Sequence, residues 1–83
     1  MTLENLKGQK KVIGTKQVKK AITKGEAVRI LLANDAEPHI IEPIKELCRE
    51  HNVKYEMIDT MEHLGKACGI DVGAATVALI NFE

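Results

Sequence analysis

Three stops divide this chain. Gly25, Asn52 and Gly69 each close a stretch in which apolar residues recur every three or four positions, and a run of β-branched or aliphatic residues follows each stop. A segment with a 3.6-residue period needs a surface to lie on, and a continuous aliphatic run suits a strand buried on both faces. Their alternation predicts an α/β fold with helices on both faces of a small sheet. Taken in order, Val12 and Ile13 form a short strand. Gly14 and Thr15 start a helix whose inner face is Val18, Ala21 and Ile22, and "VRILLA" from Val28 to Ala33 is a central strand. "VKYEMI" from Val53 to Ile58 is a strand nearer an edge, Thr60 caps a helix running through Cys68, "GIDVG" is a loop, and "AATVALI" from Ala74 to Ile80 is a further buried strand.

Prolines complicate one element. A proline well inside a helix loses a backbone hydrogen bond and crowds the preceding turn. Pro38 and Pro43 therefore predict an irregular turn over Pro38 to Ile41, then a helix from about Glu42 to His51 with Ile44, Leu47, Cys48 and His51 inward and Asn52 as a left-handed stop. At the start of the chain, Thr2 is expected to cap a brief helix through Lys7, with Leu3 and Leu6 as its apolar contacts and Gly8 as its end.

The chain of 83 residues suits one core, and at 45% hydrophobic residues it carries the aliphatic material to fill it. No apolar run exceeds four residues, as in Val77 to Ile80, against the roughly 20 a membrane span requires. The N-terminus lacks a signal peptide's apolar region, so a cytoplasmic protein is expected. Cys48 and Cys68 are too few for a disulfide framework and are expected as buried, reduced thiols. Grouping them with His51 and His63 as zinc ligands is disfavoured by the five-residue spacing of His63 and Cys68, and no metal or other cofactor is expected. "LGK" at Leu64 to Lys66 ends like a phosphate-binding loop, but Thr60 occupies the position where that loop needs its first glycine. No nucleophile and base stand in recognisable context, so the chain is not expected to be an enzyme.

Formal net charge is zero, yet the charges are segregated. Residues 1–24 carry seven lysines against Glu4 alone, while residues 25–83 carry five basic side chains against eleven acidic ones. That confines any footprint for a polyanion to one region, although a solvated lysine-rich face explains a charge run equally well. The segment "IGTKQVKK" is the sharper signal. Gly14 lets another backbone approach where a strand becomes a helix, and the first-turn amides of that helix favour phosphate. Lys16, Gln17 and Lys20 cluster near the same end, away from the apolar face. Lysine and glutamine read base edges at about 1–3 kcal/mol per good pair. Regular A-form RNA hides those edges, so the target would be RNA distorted by a bulge or by non-Watson–Crick pairs. An exposed helix start with no ligand remains the other reading. In "GIDVG", Ile70 and Val72 either fold back on the core or present a platform to splayed-out nucleotides.

"GTKQVKK" at Gly14 to Lys20, "ANDAEP" at Ala33 to Pro38 and "LGKACGIDVGAATVALI" at Leu64 to Ile80 together resemble, in order and spacing, the kink-turn-binding ribosomal protein family, most closely its small bacterial YbxF-type branch. The resemblance covers nearly everything from Val12 to Ile80. It implies a three-layer α/β/α sandwich around a mixed four-stranded sheet, with residues 1–83 as a single RNA-binding domain. The implied role is to bind RNA that bends sharply at a three-nucleotide bulge beside tandem sheared G·A pairs. By position, Gly14, Thr15, Lys16, Gln17 and Lys20 match the family's motif at the G·A pairs. Glu37 matches an acidic position facing a bulged nucleotide, Ile41 falls near it, and Ile70, Asp71, Val72 and Gly73 match the loop over the extruded bases. Many archaeal and eukaryotic members carry Asn and Glu where Lys16 and Gln17 stand; Lys and Gln mark the bacterial branch. The expected partner is a structured RNA containing a kink-turn, in ribosomal RNA or a riboswitch, bound by a monomer without a membrane. Lys7, Lys10, Lys11 and Lys19 would add sequence-independent phosphate contacts. The alternative is a protein-interaction module whose acidic helix faces (Glu42, Glu46, Glu50; Glu56, Glu62) bind a basic partner.

Overall fold

A computed structural model describes residues 10–80. The expected helix from Thr2 to Lys7, with Leu3, Leu6 and Gly8, lies outside the described residues, as does Lys7 itself. The order of elements is β1 (Lys11–Ile13), α1 (Thr15–Thr23), β2 (Ala27–Ala33), α2 (Pro38–Glu50), β3 (Lys54–Ile58), α3 (Met61–Ala67) and β4 (Thr76–Ile80). The four strands form one mixed sheet in the order β1-β4-β2-β3. β4 pairs antiparallel with both β1 and β2, and β3 runs parallel to β2 at the edge.

Both faces of this sheet are covered. Successive strand residues point to opposite sides, yet every residue of β4 and all of Ile30 to Ala33 are buried. α1 and α2 pack against one another over one face, and α3 lies on the other, against β2 and β3, giving the three layers of an α/β/α sandwich. The helices insert the residues their spacing selects: Val18, Ala21 and Ile22 from α1, Ile41, Ile44 and Cys48 from α2, and Leu64 and Gly65 from α3, with Cys68 just beyond it. Fully burying one such Val, Leu or Ile side chain contributes about 1.5–3 kcal/mol.

The three helices of the described residues stop alike. Gly25, Asn52 and Gly69 adopt left-handed φ of 75°, 58° and 81°. The next amide reaches back five residues to a helix carbonyl: Glu26 to Ala21, Val53 to Cys48 and Ile70 to Gly65, at 2.8–3.1 Å. At the start of α3, the Thr60 hydroxyl accepts the His63 N–H at 3.0 Å. β3 holds its register beside β2 partly through the ion pair of Arg29 and Glu56, and Lys45 of α2 sits 5.9 Å from the Tyr55 ring centroid.

One element departs from expectation. α2 runs unbroken from Pro38, with Pro43 inside it, in place of an irregular turn followed by a helix from Glu42. Pro38 at the first position gives up an amide that no helix uses. Pro43 gives up one bond at a cost of about 3 kcal/mol, against which stand about 1.5–3 kcal/mol from burying Ile41 and the backbone bonds of the added first turn. The earlier start brings Ile41 into the core at 4% exposure. The helix also ends one residue sooner, so His51 is an exposed cap where an inward side chain was expected. Among the described residues no helix is long and apolar enough to cross a membrane.

Candidate nucleic-acid interface

Strand directions gather the three motifs at one end of the sheet. β1 leads into Gly14 and β2 into Asn34 at the end where β4 begins. The Gly14 N–H donates to the Thr76 carbonyl (3.1 Å), Thr76 lies opposite Leu32, and the Ala33 N–H donates to the Ala75 carbonyl (2.9 Å). Two strand spacings, about 10 Å, therefore separate the start of α1 from the "ANDAEP" turn, with the loop before β4 between them.

Gly14 caps α1 at φ 109° and ψ 144°, a conformation reserved in practice for glycine. A Cβ built there would meet nothing within 4 Å, so the space beside this backbone is open. Glycine brings no capping side chain, and the first turn holds no acidic residue. The positive end of the helix dipole and the first-turn amides thus go uncompensated by side chains. Because Val18, Ala21 and Ile22 occupy the inner face, Lys16, Gln17, Lys19 and Lys20 stand on the outside, exposed, with Thr15 half-buried. Lys10 is exposed and Lys11 half-buried on β1.

Glu37 is the residue before α2, and its side chain does not cap the helix. The carboxylate is held outward, 71% exposed, 3.0 Å from His39 Nδ1. Ile41 does not join this surface: one turn along α2 it points into the core, because its spacing from Ile44 and Cys48 puts it on the buried face.

The loop before β4 divides between the two readings its sequence left open. Ile70 packs against the core, while Asp71, Val72 and Gly73 are exposed, Val72 at 69%. Its seat was not anticipated. A Cβ on Gly65 would lie 2.0 Å from the Val72 carbonyl oxygen, and one on Gly73 would lie 3.1 Å from Met61 Cβ, so the loop lies directly on α3. The signal was present: a glycine inside a short helix costs about 1 kcal/mol and implies a close approach. Asp35, in the "ANDAEP" turn, accepts the Met61 N–H at 2.8 Å.

Elsewhere the chemistry is muted. Burial pushes both cysteine thiols up from their ordinary value; for Cys68 the Lys11 ammonium draws it partly back. His51 and His63 are exposed while Cys48 and Cys68 are buried, and among the described residues no three potential ligands come together to hold a metal. The acidic helix faces are largely paired within themselves: Glu42 with Lys45, Glu46 with Arg49, and Glu62 with Lys66.

Comparison with known proteins agrees with this fold. The model of the ribosomal protein L7Ae/L30e/S12e/Gadd45 family matches residues 2–83. An RNA-binding protein of Caldanaerobacter subterraneus is 49% identical over 69 residues, covering 83% of this chain and 84% of that protein. The RNA-binding protein YbxF of Geobacillus stearothermophilus is 47% identical over 76 residues, covering 92% and 93%. Among solved structures, the Giardia lamblia 15.5kD RNA binding protein shares the fold with a TM-score of 0.87 at 23% identity, over 98% of this chain and 69% of that one. With its family model spanning nearly the whole sequence and its relatives close to half identical, the chain belongs to the ribosomal protein L7Ae/L30e/S12e/Gadd45 family.

Proposed function

We propose that this protein binds RNA, and specifically the kink-turn: a helix bent sharply at a three-nucleotide bulge beside tandem sheared G·A pairs. The observation that carries the reading is the convergence of three motifs on one end of the sheet, where an uncapped helix start offers open amides and exposed Lys16, Gln17 and Lys20. The names of its relatives support the RNA part of the proposal.

In this reading the backbone at Gly14 and Thr15 lies against the RNA, and Lys16, Gln17 and Lys20 reach the purine edges that sheared pairs expose. Glu37 faces a bulged nucleotide, and Val72, with Asp71 and Gly73, covers the extruded bases while Ile70 anchors the loop. Ile41 contributes packing beneath Glu37, not contact. Lys10 and Lys19 add phosphate contacts that make affinity fall with salt. Residues 1–83 act as one non-enzymatic domain, a cytoplasmic monomer that needs no cofactor. Its ligand is a kink-turn in ribosomal RNA or a riboswitch. The protein acts by selective affinity. Moving a bent state from a 1:99 minority to a 99:1 majority takes about 5.5 kcal/mol of differential binding, the yield of a few base-edge contacts.

The test is a titration at fixed salt of kink-turn RNA against the same RNA with its G·A pairs replaced by Watson–Crick pairs. Preference for the first is expected, and Lys20→Ala should weaken binding roughly tenfold while reducing that preference. Equal affinity for the two RNAs would reject the proposal. The rival reading, a protein-interaction module, has no observation in its favour, since the acidic side chains it needs are mostly paired with neighbours.

A further inference from the structure

We infer that Asp35 is a positioning residue for RNA recognition: acting through Met61, its carboxylate fixes the turn that carries Glu37 relative to the loop that carries Val72. The inference rests on the kink-turn reading above and gives a role to a residue that reading does not use.

Met61 is where the two segments meet. As the first residue of α3, its N–H has no partner inside the helix, and the Thr60 hydroxyl is engaged with His63. Asp35 Oδ1 accepts that N–H at 2.8 Å, across 26 residues of sequence. The Met61 carbonyl accepts the Ala74 N–H at 3.0 Å, and Met61 Cβ abuts Gly73. One residue thus binds the "ANDAEP" turn with its donor and the loop before β4 with its acceptor. The sheet already joins the roots of these segments through the Ala33 N–H and the Ala75 carbonyl. The Asp35–Met61–Ala74 chain joins them again farther out, nearer Glu37 and Val72. Ordering both sides of a binding surface in advance spares the ligand that ordering cost.

Electrostatics makes the inference easy to separate from its competitor. Asp35 is exposed at the end of the molecule assigned to a polyanion. If its charge were all that mattered, removing it would tighten RNA binding; if it clamps, removing it loosens binding. Asp35→Asn keeps an accepting oxygen in place without the charge, whereas Asp35→Glu keeps the charge and displaces the oxygen by one methylene.

The experiment measures kink-turn RNA affinity at fixed salt for the wild type and for Asp35→Ala, Asp35→Asn and Asp35→Glu. Thermal unfolding and amide exchange at Met61 and Ala74 are measured on the same proteins. Asp35→Ala and Asp35→Glu are expected to bind about tenfold more weakly, with both amides exchanging faster, and Asp35→Asn to stay within about twofold of wild type. Binding to plain duplex RNA should not weaken in any variant. If Asp35→Ala does not fold, Asp35→Glu carries the same comparison. A folded Ala or Glu variant that binds like wild type, or an Asn variant as weak as Ala, overturns the clamp. A wild type that does not distinguish the kink-turn from its Watson–Crick control instead overturns the function proposal, and this inference with it.

Discussion

Replacing Gly14 by alanine tests the local geometry on which the interface is built. At φ 109° and ψ 144° a side chain strains the backbone, and residues forced into such regions cost about 1–3 kcal/mol. No clash adds to this, because a Cβ there meets nothing within 4 Å. Alanine also restricts the unfolded chain, which returns about 0.4–1 kcal/mol. The net expectation is a loss of about 1–2 kcal/mol, a fall in Tm of about 5–15 °C for a domain of this size. Urea unfolding followed by circular dichroism should show a lower midpoint with an unchanged slope. Gly25→Ala provides the control. Gly25 has φ 75° and equally open surroundings, but it lies at the other end of α1. It should cost about 1–2 kcal/mol in stability and leave RNA affinity alone, whereas folded Gly14→Ala should also bind kink-turn RNA more weakly. A Tm for Gly14→Ala within about 2 °C of wild type would show that the backbone relaxes cheaply and refute the claim that this position demands glycine.

Other substitutions probe the supports of the site. Gly65→Ala must push a Cβ into the Val72 carbonyl, which lies on backbone and cannot swing aside; a loss of about 2–4 kcal/mol is expected by urea denaturation, with weaker RNA binding by the folded fraction. Thr76 is fully buried with its hydroxyl unpartnered, so Thr76→Val should raise stability by about 1 kcal/mol, and a decrease would mean that the hydroxyl has a partner such as a bound water. Burial holds the Cys48 and Cys68 thiols above their ordinary 9.0, so the folded state favours the neutral form. Their contribution to stability is therefore intact below pH 9 and declines as pH rises from there through the folded-state values. Iodoacetamide at pH 8 should label both thiols far more slowly in the native protein than in urea, and equal rates would contradict their burial.

The parts of this structure written in local chemistry were readable from the sequence. Thr60 as a cap, Gly25, Asn52 and Gly69 as stops, and the aliphatic runs of β2 and β4 each follow from a side chain's own preferences or a short period, and each stands where expected except that β4 opens at Thr76, leaving Ala74 and Ala75 to the loop. The outward face of α1 was equally legible, since Val18, Ala21 and Ile22 dictate which side Lys16, Gln17 and Lys20 must face. Pro43 stands inside α2 against its local preference, because the burial of Ile41 that competes with its lost hydrogen bond is a property of the whole fold. The resemblance set Ile41 beside Glu37 by position, whereas the core takes its side chain. Asp35 escaped for another reason: its partner Met61 is set by how α3 lies on the sheet, and no pattern along the chain encodes that meeting; a glycine inside α3 signals a close approach at Gly65 but not that the Val72 carbonyl makes it.

The position of β4 has a consequence for how such an interface can come into being. Of the seven elements in the described residues it comes seventh along the chain, yet it occupies the interior of the sheet, between β1 and β2, the first two strands of the series. A polypeptide interrupted before Thr76 would leave β1 with no paired strand, and α1 with only α2, β2 and that unpaired strand to lie on. The three segments proposed to face RNA are therefore not independent of one another: β4 is the strand that brings their roots side by side, at Gly14 through Thr76 and at Ala33 through Ala75.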